Sequence, residues 1–259
     1  MLEFLKNQSM TGICLLFLAA NFGIFTTSVI SCWLLGVVFN GKRIFSRWEP
    51  LKVSEILSAL GAVILNSLVS VAGWMAWREG YINIEVMSVG RAVLDCVAMV
   101  IVMDLGMYIL HRLAHIPSIY HLMHAFHHRH ESTNPISLFV LHPAEVIGFA
   151  GLMILFLMIY PISLLGLLAY LTVNVAFGTI GHSGVEPFPG SIRRIPILRY
   201  IGTSTFHANH HEHPKYNYGF YTLIWDKLFG TLDPEYDRRF TKNTANKPHH
   251  PTPWGSLLP

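Results

Sequence analysis

From Met10 to Phe39 the chain runs for thirty residues without one charged side chain. At a rise of about 1.5 Å per residue, such a run exceeds the roughly 30 Å hydrocarbon core of a bilayer. Inside hydrocarbon every backbone N–H and C=O must find a partner within the protein, which makes a helix the economical solution. A cleaved signal peptide would be shorter and would end on a small-residue cleavage site, and neither holds here. Residues 56–77 form a second apolar run, with Trp74 and Trp77 expected as interfacial anchors at its end. A third runs from about Val86 to Leu110. It carries Arg91 and Asp95, four apart and able to pair on one helix face, and also Asp104. Residues 146–180 are apolar but broken by Pro161, which predicts two shorter helices in a hairpin or kinked pair.

The expected fold is therefore an all-α integral membrane protein with about four transmembrane helices, the last a Pro-interrupted pair or hairpin. A helical cap rich in histidine completes it. Composition agrees: charged residues are 13% of the chain, against about 25% in soluble proteins. The net charge of +3, with no Lys/Arg stripe, gives no support to nucleic-acid binding. Cys14, Cys32 and Cys96 lie in apolar runs and form no C-x-x-C pair, so they read as packing residues. Residues 1–240 read as one integral-membrane catalytic domain, and 241–259, rich in Pro, Asn and Thr, as a poorly structured tail. Lys42, Arg43, Arg47 and Lys52 fill the loop between the first two spans. The positive-inside rule puts that loop in the cytoplasm, the N-terminus outside and the histidines on the cytoplasmic side.

Fifteen histidines are the anomaly. His111 and His115 are four apart and continue the third span. His124, His127 and His128 have offsets of 0, 3 and 4, and His207, His210 and His211 repeat them; these offsets are expected to project from one helix stripe. His182, in Gly-His-Ser-Gly, adds one more. A single ion takes four to six ligands, so nine imidazoles imply two metals. Imidazole suits iron, zinc, copper and nickel alike. There is no H-E-x-x-H, which argues against a zinc protease. Asp104, seven residues before His111, is a candidate to orient a ligating imidazole. His121, His142 and Glu186 are the other candidates for a supporting place around the metals. His142 precedes Pro143 and Glu145 and reads chiefly as a helix cap. His130 and His213 flank the clusters, and His249 and His250 read as bystanders.

The order H-x-x-x-H, H-x-x-H-H, G-H-S-G and F-H-x-x-H-H resembles the fatty acid hydroxylase/sterol desaturase superfamily. Asp104, Tyr108, His111 and Arg112 match its D-x-x-x-Y-x-x-H-R lead-in. Asn217, Tyr218 and Gly219 match its N-Y-G. Residues 225–231 match its W-D-K-x-F-G-T ending. The likeness covers about 97–233.

It implies a membrane-bound, non-haem di-iron oxygenase that uses O2 and electrons from a separate donor protein to hydroxylate a C–H bond of a lipid or sterol-like substrate. Desaturation at the same centre is the alternative, and a membrane metal transporter is an alternative of another class. The ligands carried over are His111, His115, His124, His127, His128, His182, His207, His210 and His211. Some members have a tenth histidine where this chain has Glu186, so Glu186 or His142 stands as a possible substitute. Zinc would compete for such a site in purified protein, since the Irving–Williams order favours it over iron(II).

Overall fold

A computed structural model of the protein describes residues 2–45, 51–129 and 132–245. Arg47, His130, His249 and His250 lie outside those residues, as does the chain from 246 onward. The described chain is mostly helical. A short helix, α1 (Leu2–Lys6), precedes three long apolar ones: α2 (Met10–Val38), α3 (Val53–Arg78) and α4 (Val89–Ala114). Then come α5 (Pro117–Met123), α6 (Pro143–Ile159) and α7 (Leu164–Gly181). Three more helices close the chain: α8 (Ser204–Glu212), α9 (Ile224–Leu228) and α10 (Tyr236–Thr244). Four helices, α2, α3, α4 and α7, are long and apolar enough to cross a membrane, while α6 is apolar but shorter. The helix starts follow from local chemistry: the Ser9 and Ser88 hydroxyls accept from the Gly12 and Arg91 amides at 3.1 and 3.3 Å.

Pro161 splits the last apolar stretch as its missing N–H requires. The result is a hairpin whose tip pairs with the α3–α4 connection. Strand β1 (Ile84–Glu85) lies parallel to β2 (Ile162–Ser163), with Ile84 opposite Ile162. Beside this ladder the buried Asp95 carboxylate accepts from Arg91 Nε at 2.7 Å, Tyr160 OH at 2.8 Å and the Ser163 amide at 2.7 Å. One carboxylate thus ties α4 to both arms of the hairpin. The helices pack around Met99, Met103, Phe156, Ile162, Tyr170 and Tyr221. A Cβ on Gly166 would lie 2.7 Å from Asp95 Cβ and 2.9 Å from the Ala92 carbonyl, so α4 and α7 approach closely only because position 166 has no side chain. Outward, Ile64, Val93, Ile101, Leu155 and Ile159 are more than half exposed. Such an apolar belt suits lipid rather than water.

The two ends of the bundle differ. At one end α1 covers the end of α3: Trp74 Nε1 donates to the Leu5 carbonyl at 3.0 Å, and Lys6 sits over the Trp77 ring. Both tryptophans are buried there instead of facing an interface. At the other end the segment after α2 meets the loop after α7. The Ile44 amide donates to the Gly184 carbonyl, and the Glu186 amide to the Lys42 carbonyl, each at 3.0 Å. The histidines lie at this second end, with the described part of the basic loop. A smaller core of Ile192, Phe206, Leu223, Tyr236 and Phe240 joins α8 and α10 there.

Three boundaries differ from expectation. The third span starts later and continues through Ala114, taking His111 into its last turn. Helix α10 continues past Phe240 to Thr244, because Tyr236 and Phe240 bury one of its faces. Finally, His124, His127 and His128 do not share one helix stripe. Helix α5 ends at Met123, His124 caps it, and His127 begins a separate 3₁₀ turn. His127 falls in a different group from its two neighbours.

Candidate metal centre

Four pieces of chain present the histidines. His111 sits in the last turn of α4 and His115 caps it, where Pro117 at the start of α5 forbids continuation. His124, His127 and His128 follow α5. His182 caps α7. Helix α8 carries His207, His210 and His211. Its start is fixed by Thr203 Oγ1, which accepts from the Phe206 amide at 3.2 Å. The buried Glu186 carboxylate accepts from the Thr205 amide at 2.9 Å, a charge well placed at a helix N-terminus.

Ring nitrogens of these nine residues gather in two clusters. Cluster A is His111, His115, His124, His128 and His210; cluster B is His127, His182, His207 and His211. Within each, the nitrogens lie within 4.8 Å of one another. Each H-x-x-H-H motif is divided: the outer pair, four apart, goes to one cluster, and the middle histidine crosses to the other. In α8 this follows from helix geometry. At about 100° per residue, His210 and His211 diverge by about 100°, so a helix lying between the clusters feeds both.

Hydrogen bonds at the far side of four of the rings fix their tautomers. His111 Nδ1 faces the Tyr218 carbonyl at 2.9 Å, and His210 Nδ1 faces the Tyr216 carbonyl at 2.7 Å. His127 Nδ1 faces the Val140 carbonyl at 3.2 Å. A carbonyl only accepts, so these Nδ1 atoms carry the proton and each Nε2 presents a lone pair. His182 Nδ1 meets Ser137 Oγ at 2.8 Å. That hydroxyl spends its own proton on the Asn134 carbonyl at 2.7 Å, so His182 must donate as well. The left-handed backbone of Asn217, with φ 62°, makes the turn that presents carbonyls 216 and 218 to two different rings. Asparagine tolerates that conformation better than most residues.

The inward nitrogens are close. His111 and His124 Nε2 are 3.0 Å apart, His128 and His210 Nε2 3.0 Å, and His182 and His207 Nε2 3.0 Å. Several facing lone pairs at this distance repel unless a cation lies among them. Protons are a poor substitute, because burial works against imidazolium. It lowers the His115 pKa to about 3 and that of His127 to about 4. Burial first, and neighbouring histidine charge second, also depress His124, His128, His182, His207 and His210. The donor set therefore fits soft-to-borderline metal ions that prefer neutral imidazole.

The supporting residues differ from the candidates read in the sequence. Asp104 does not meet a histidine. Its buried carboxylate accepts from the Tyr221 and Thr222 amides at 2.9 and 3.2 Å, from Thr222 Oγ1 at 2.5 Å and from Trp225 Nε1 at 3.1 Å. It lies about two turns before His111, and it binds the segment leading into W-D-K to α4. Tyr108, beside it, meets Thr231 Oγ1 at 3.1 Å. His121 is exposed, against the Tyr120 ring. His142 caps α6 by accepting from the Ala144 amide. His213 lies outside both clusters and meets Arg239. Glu186 stays with α8 as described, away from the ring nitrogens.

The residue that sequence reasoning missed is Glu145. It looked like a first-turn acid of α6, and its Oε2 does accept from the His142 amide at 3.1 Å. Its Oε1, however, lies 2.5 Å from His124 Nδ1. The spacing H-P-A-E signals the cap; nothing in it signals a partner twenty-one residues earlier. A narrow recess with about 10 Å³ of free space adjoins cluster B, lined by His182 and His207 together with Gly181 and the rings of Phe177, Phe206 and Phe220.

Residues 96–231, more than half of the chain, match the family model described as fatty acid hydroxylase. The chain belongs to the fatty acid hydroxylase family. Among curated relatives, this family member is 24% identical over 238 residues to a Delta(7)-sterol 5(6)-desaturase of Eremothecium gossypii, covering 85% of this chain and 66% of that one. It is 28% identical over 189 residues to a cholesterol 25-hydroxylase-like protein of Danio rerio, covering 71% and 73%. It is also 28% identical over 185 residues to a very-long-chain aldehyde decarbonylase of Oryza sativa subsp. indica, covering 69% and 30%. The chain thus spans just under two thirds of the first of these relatives. No solved structure matches it. The family match contains all nine clustered histidines, whereas α2 and α3 precede it.

Proposed function

We propose that this family member is a membrane-bound di-iron oxygenase that hydroxylates a C–H bond of a lipid or sterol-like substrate. It would use O2 and electrons from a separate donor protein. What carries the reading is the pair of buried imidazole clusters whose unprotonated nitrogens face one another at the end of an apolar bundle. His111, His115, His124, His128 and His210 would hold one ion, and His127, His182, His207 and His211 the other. When bound there, iron supplies the redox chemistry with O2 that protein side chains lack.

The chain's own part is to bind, orient and exclude. Carbonyls 140, 216 and 218 and the Ser137 hydroxyl keep the Nδ1 protons of their four rings outward. Burial keeps the clusters dry and the imidazoles neutral. Spans that end at the clusters let a greasy substrate come from the bilayer without passing through water. The narrow recess beside His182 and His207 has phenylalanine walls, and it would have to widen to admit an apolar substrate segment at cluster B.

Desaturation at the same centre is the second reading, because relatives named as sterol desaturases and as a cholesterol 25-hydroxylase-like protein both align. Mass spectrometry of host lipids separates the two: a gain of one oxygen marks hydroxylation, and a loss of two hydrogens marks desaturation. A transporter would instead move metal across vesicles with no lipid product. The protein should hold about two metal ions per chain, with zinc able to displace iron on overproduction. His127→Ala and His210→Ala, one from each cluster, should each lose metal and activity together. Full activity in either variant would refute the ligand assignment.

A further inference from the structure

Helix α7 turns Leu165, Leu168, Thr172 and Ala176 outward, where all four are exposed. Asn174 follows Leu165 by nine residues, about 180° around the helix, and so faces into the bundle. There it meets two tyrosines. The Tyr221 hydroxyl donates to Asn174 Oδ1 at 2.6 Å and lies 3.0 Å from the Tyr170 hydroxyl. Both tyrosines are fully buried, whereas Asn174 is only partly so. A hydroxyl has one proton, and here it goes to the shorter contact, with an oxygen that can only accept. That leaves the amide nitrogen of Asn174. Among the described residues no acceptor meets its two N–H groups. At hydrocarbon depth such a donor is costly, because lipid tails offer it nothing in place of water. Polar groups kept at that depth mark the path of a substrate.

The trio adjoins the metal centre. The Tyr221 ring packs edge-on against those of Phe177 and Phe220, with centroids 5.4 and 4.9 Å away. These two rings line the recess beside His182 and His207. From Asn174 to His182 is about 12 Å along α7. We propose that the Asn174 amide is a substrate-binding group that holds the hydroxyl of a neutral lipid, whose hydrocarbon runs past Phe177 and Phe220 toward cluster B. This deepens the lipid-substrate reading above and rests on it. The chemical class follows from the surroundings. Amide N–H groups need an oxygen, which an alkane lacks. Helix α7 carries no Lys or Arg, so a carboxylate would enter without a counter-charge, at a heavy desolvation cost. A hydroxyl pairs with the N–H and brings no charge. The Tyr221 hydroxyl on Oδ1 keeps the amide turned with its nitrogen free.

The test is equilibrium binding to purified full-length protein in detergent, read without turnover. Two labelled probes are used, cholesterol and 1-octadecanol, each compared with its oxygen-free counterpart, cholestane or octadecane. Wild type should prefer one alcohol over its hydrocarbon by about 10-fold more than Asn174→Leu does, the worth of a hydrogen bond to a donor otherwise left unpaired. Comparison with the variant cancels the unequal partition of the probes into detergent. The alcohol that shows the preference tells a sterol from a straight-chain substrate. Leucine matches asparagine closely in size. If the melting midpoint of Asn174→Leu falls below wild type, Asn174→Ser takes its place. A serine in a span returns its hydroxyl to the carbonyl four residues back, as Ser67, Ser70 and Thr172 do with their hydroxyls, so this variant should lose the preference too.

For both alcohols, a preference no larger in wild type than in Asn174→Leu would overturn the proposal, and so would one that persists undiminished in Asn174→Ser. Failure of the reading beneath it looks different: wild type would hold fewer than two metal ions or yield no oxidised lipid, with the preference for an alcohol intact.

Discussion

At the scale of single residues, the clusters are governed by where protons are not. Imidazoles with pKa values pushed down by burial are neutral in the fold and protonated more readily in the unfolded chain. Between about pH 4, the folded value of His127, and 6.5, its ordinary value, the unfolded state therefore binds more protons. Metal-free protein should lose stability steadily as pH falls through that window and show no such trend above it. Thermal melts across pH 4.5 to 8 check this; a flat profile would mean that the rings are hydrated. Asn217 offers a second residue-scale test. Its left-handed backbone sets both the Tyr216 and Tyr218 carbonyls. Asn217→Val forces a β-branched residue into that region at a cost of about 1–3 kcal/mol. It should lower the melting midpoint and loosen metal at cluster A more than at cluster B, measured by chelator-driven release.

At the scale of elements, Asp104 and Gly166 carry the joints. Asp104→Ala strands two amides, a hydroxyl and an indole N–H in a buried site. A single orphaned buried donor costs about 1–3 kcal/mol, so this variant should melt far below wild type even without metal, as differential scanning fluorimetry would report. Gly166→Leu should separate α4 from α7 and cost about 1–3 kcal/mol or more through overpacking. Unchanged melting would show that the helices can part freely.

These joints also show what was legible in the sequence. The spans were readable because lipid imposes length and apolarity, and Pro161 split the hairpin by its own chemistry. The gathering of the nine histidines was readable because their spacings repeat along the chain. Their sorting into two sets was not, since it depends on where α8 lies and on the helix loosening after Met123. Asp104 was misjudged for a related reason. Spacing places a carboxylate on a helix face but does not say which segment arrives to meet it, and the W-D-K segment arrives from more than a hundred residues away.

At the scale of the whole molecule, the bundle has two dissimilar ends. Helix α1 lies at one, whereas the histidines, the described part of the basic loop and α10 lie at the other. Reporters fused at Met1 and at Pro259 should therefore face opposite sides of the membrane. Labelling on the same side would mean that the chain crosses a different number of times.

The division of each H-x-x-H-H motif has a consequence for how the chain is made. Four of the five cluster A histidines occur between His111 and His128, so a growing chain can bring them together as soon as α5 has formed. Cluster B spans His127 to His211, and closing so long a loop costs more chain entropy. His210 and His211 arrive together on α8, one for each cluster. The last helix of the family match to bear histidines thus completes both clusters in one event, and a ribosome must pass residue 211 before either is whole.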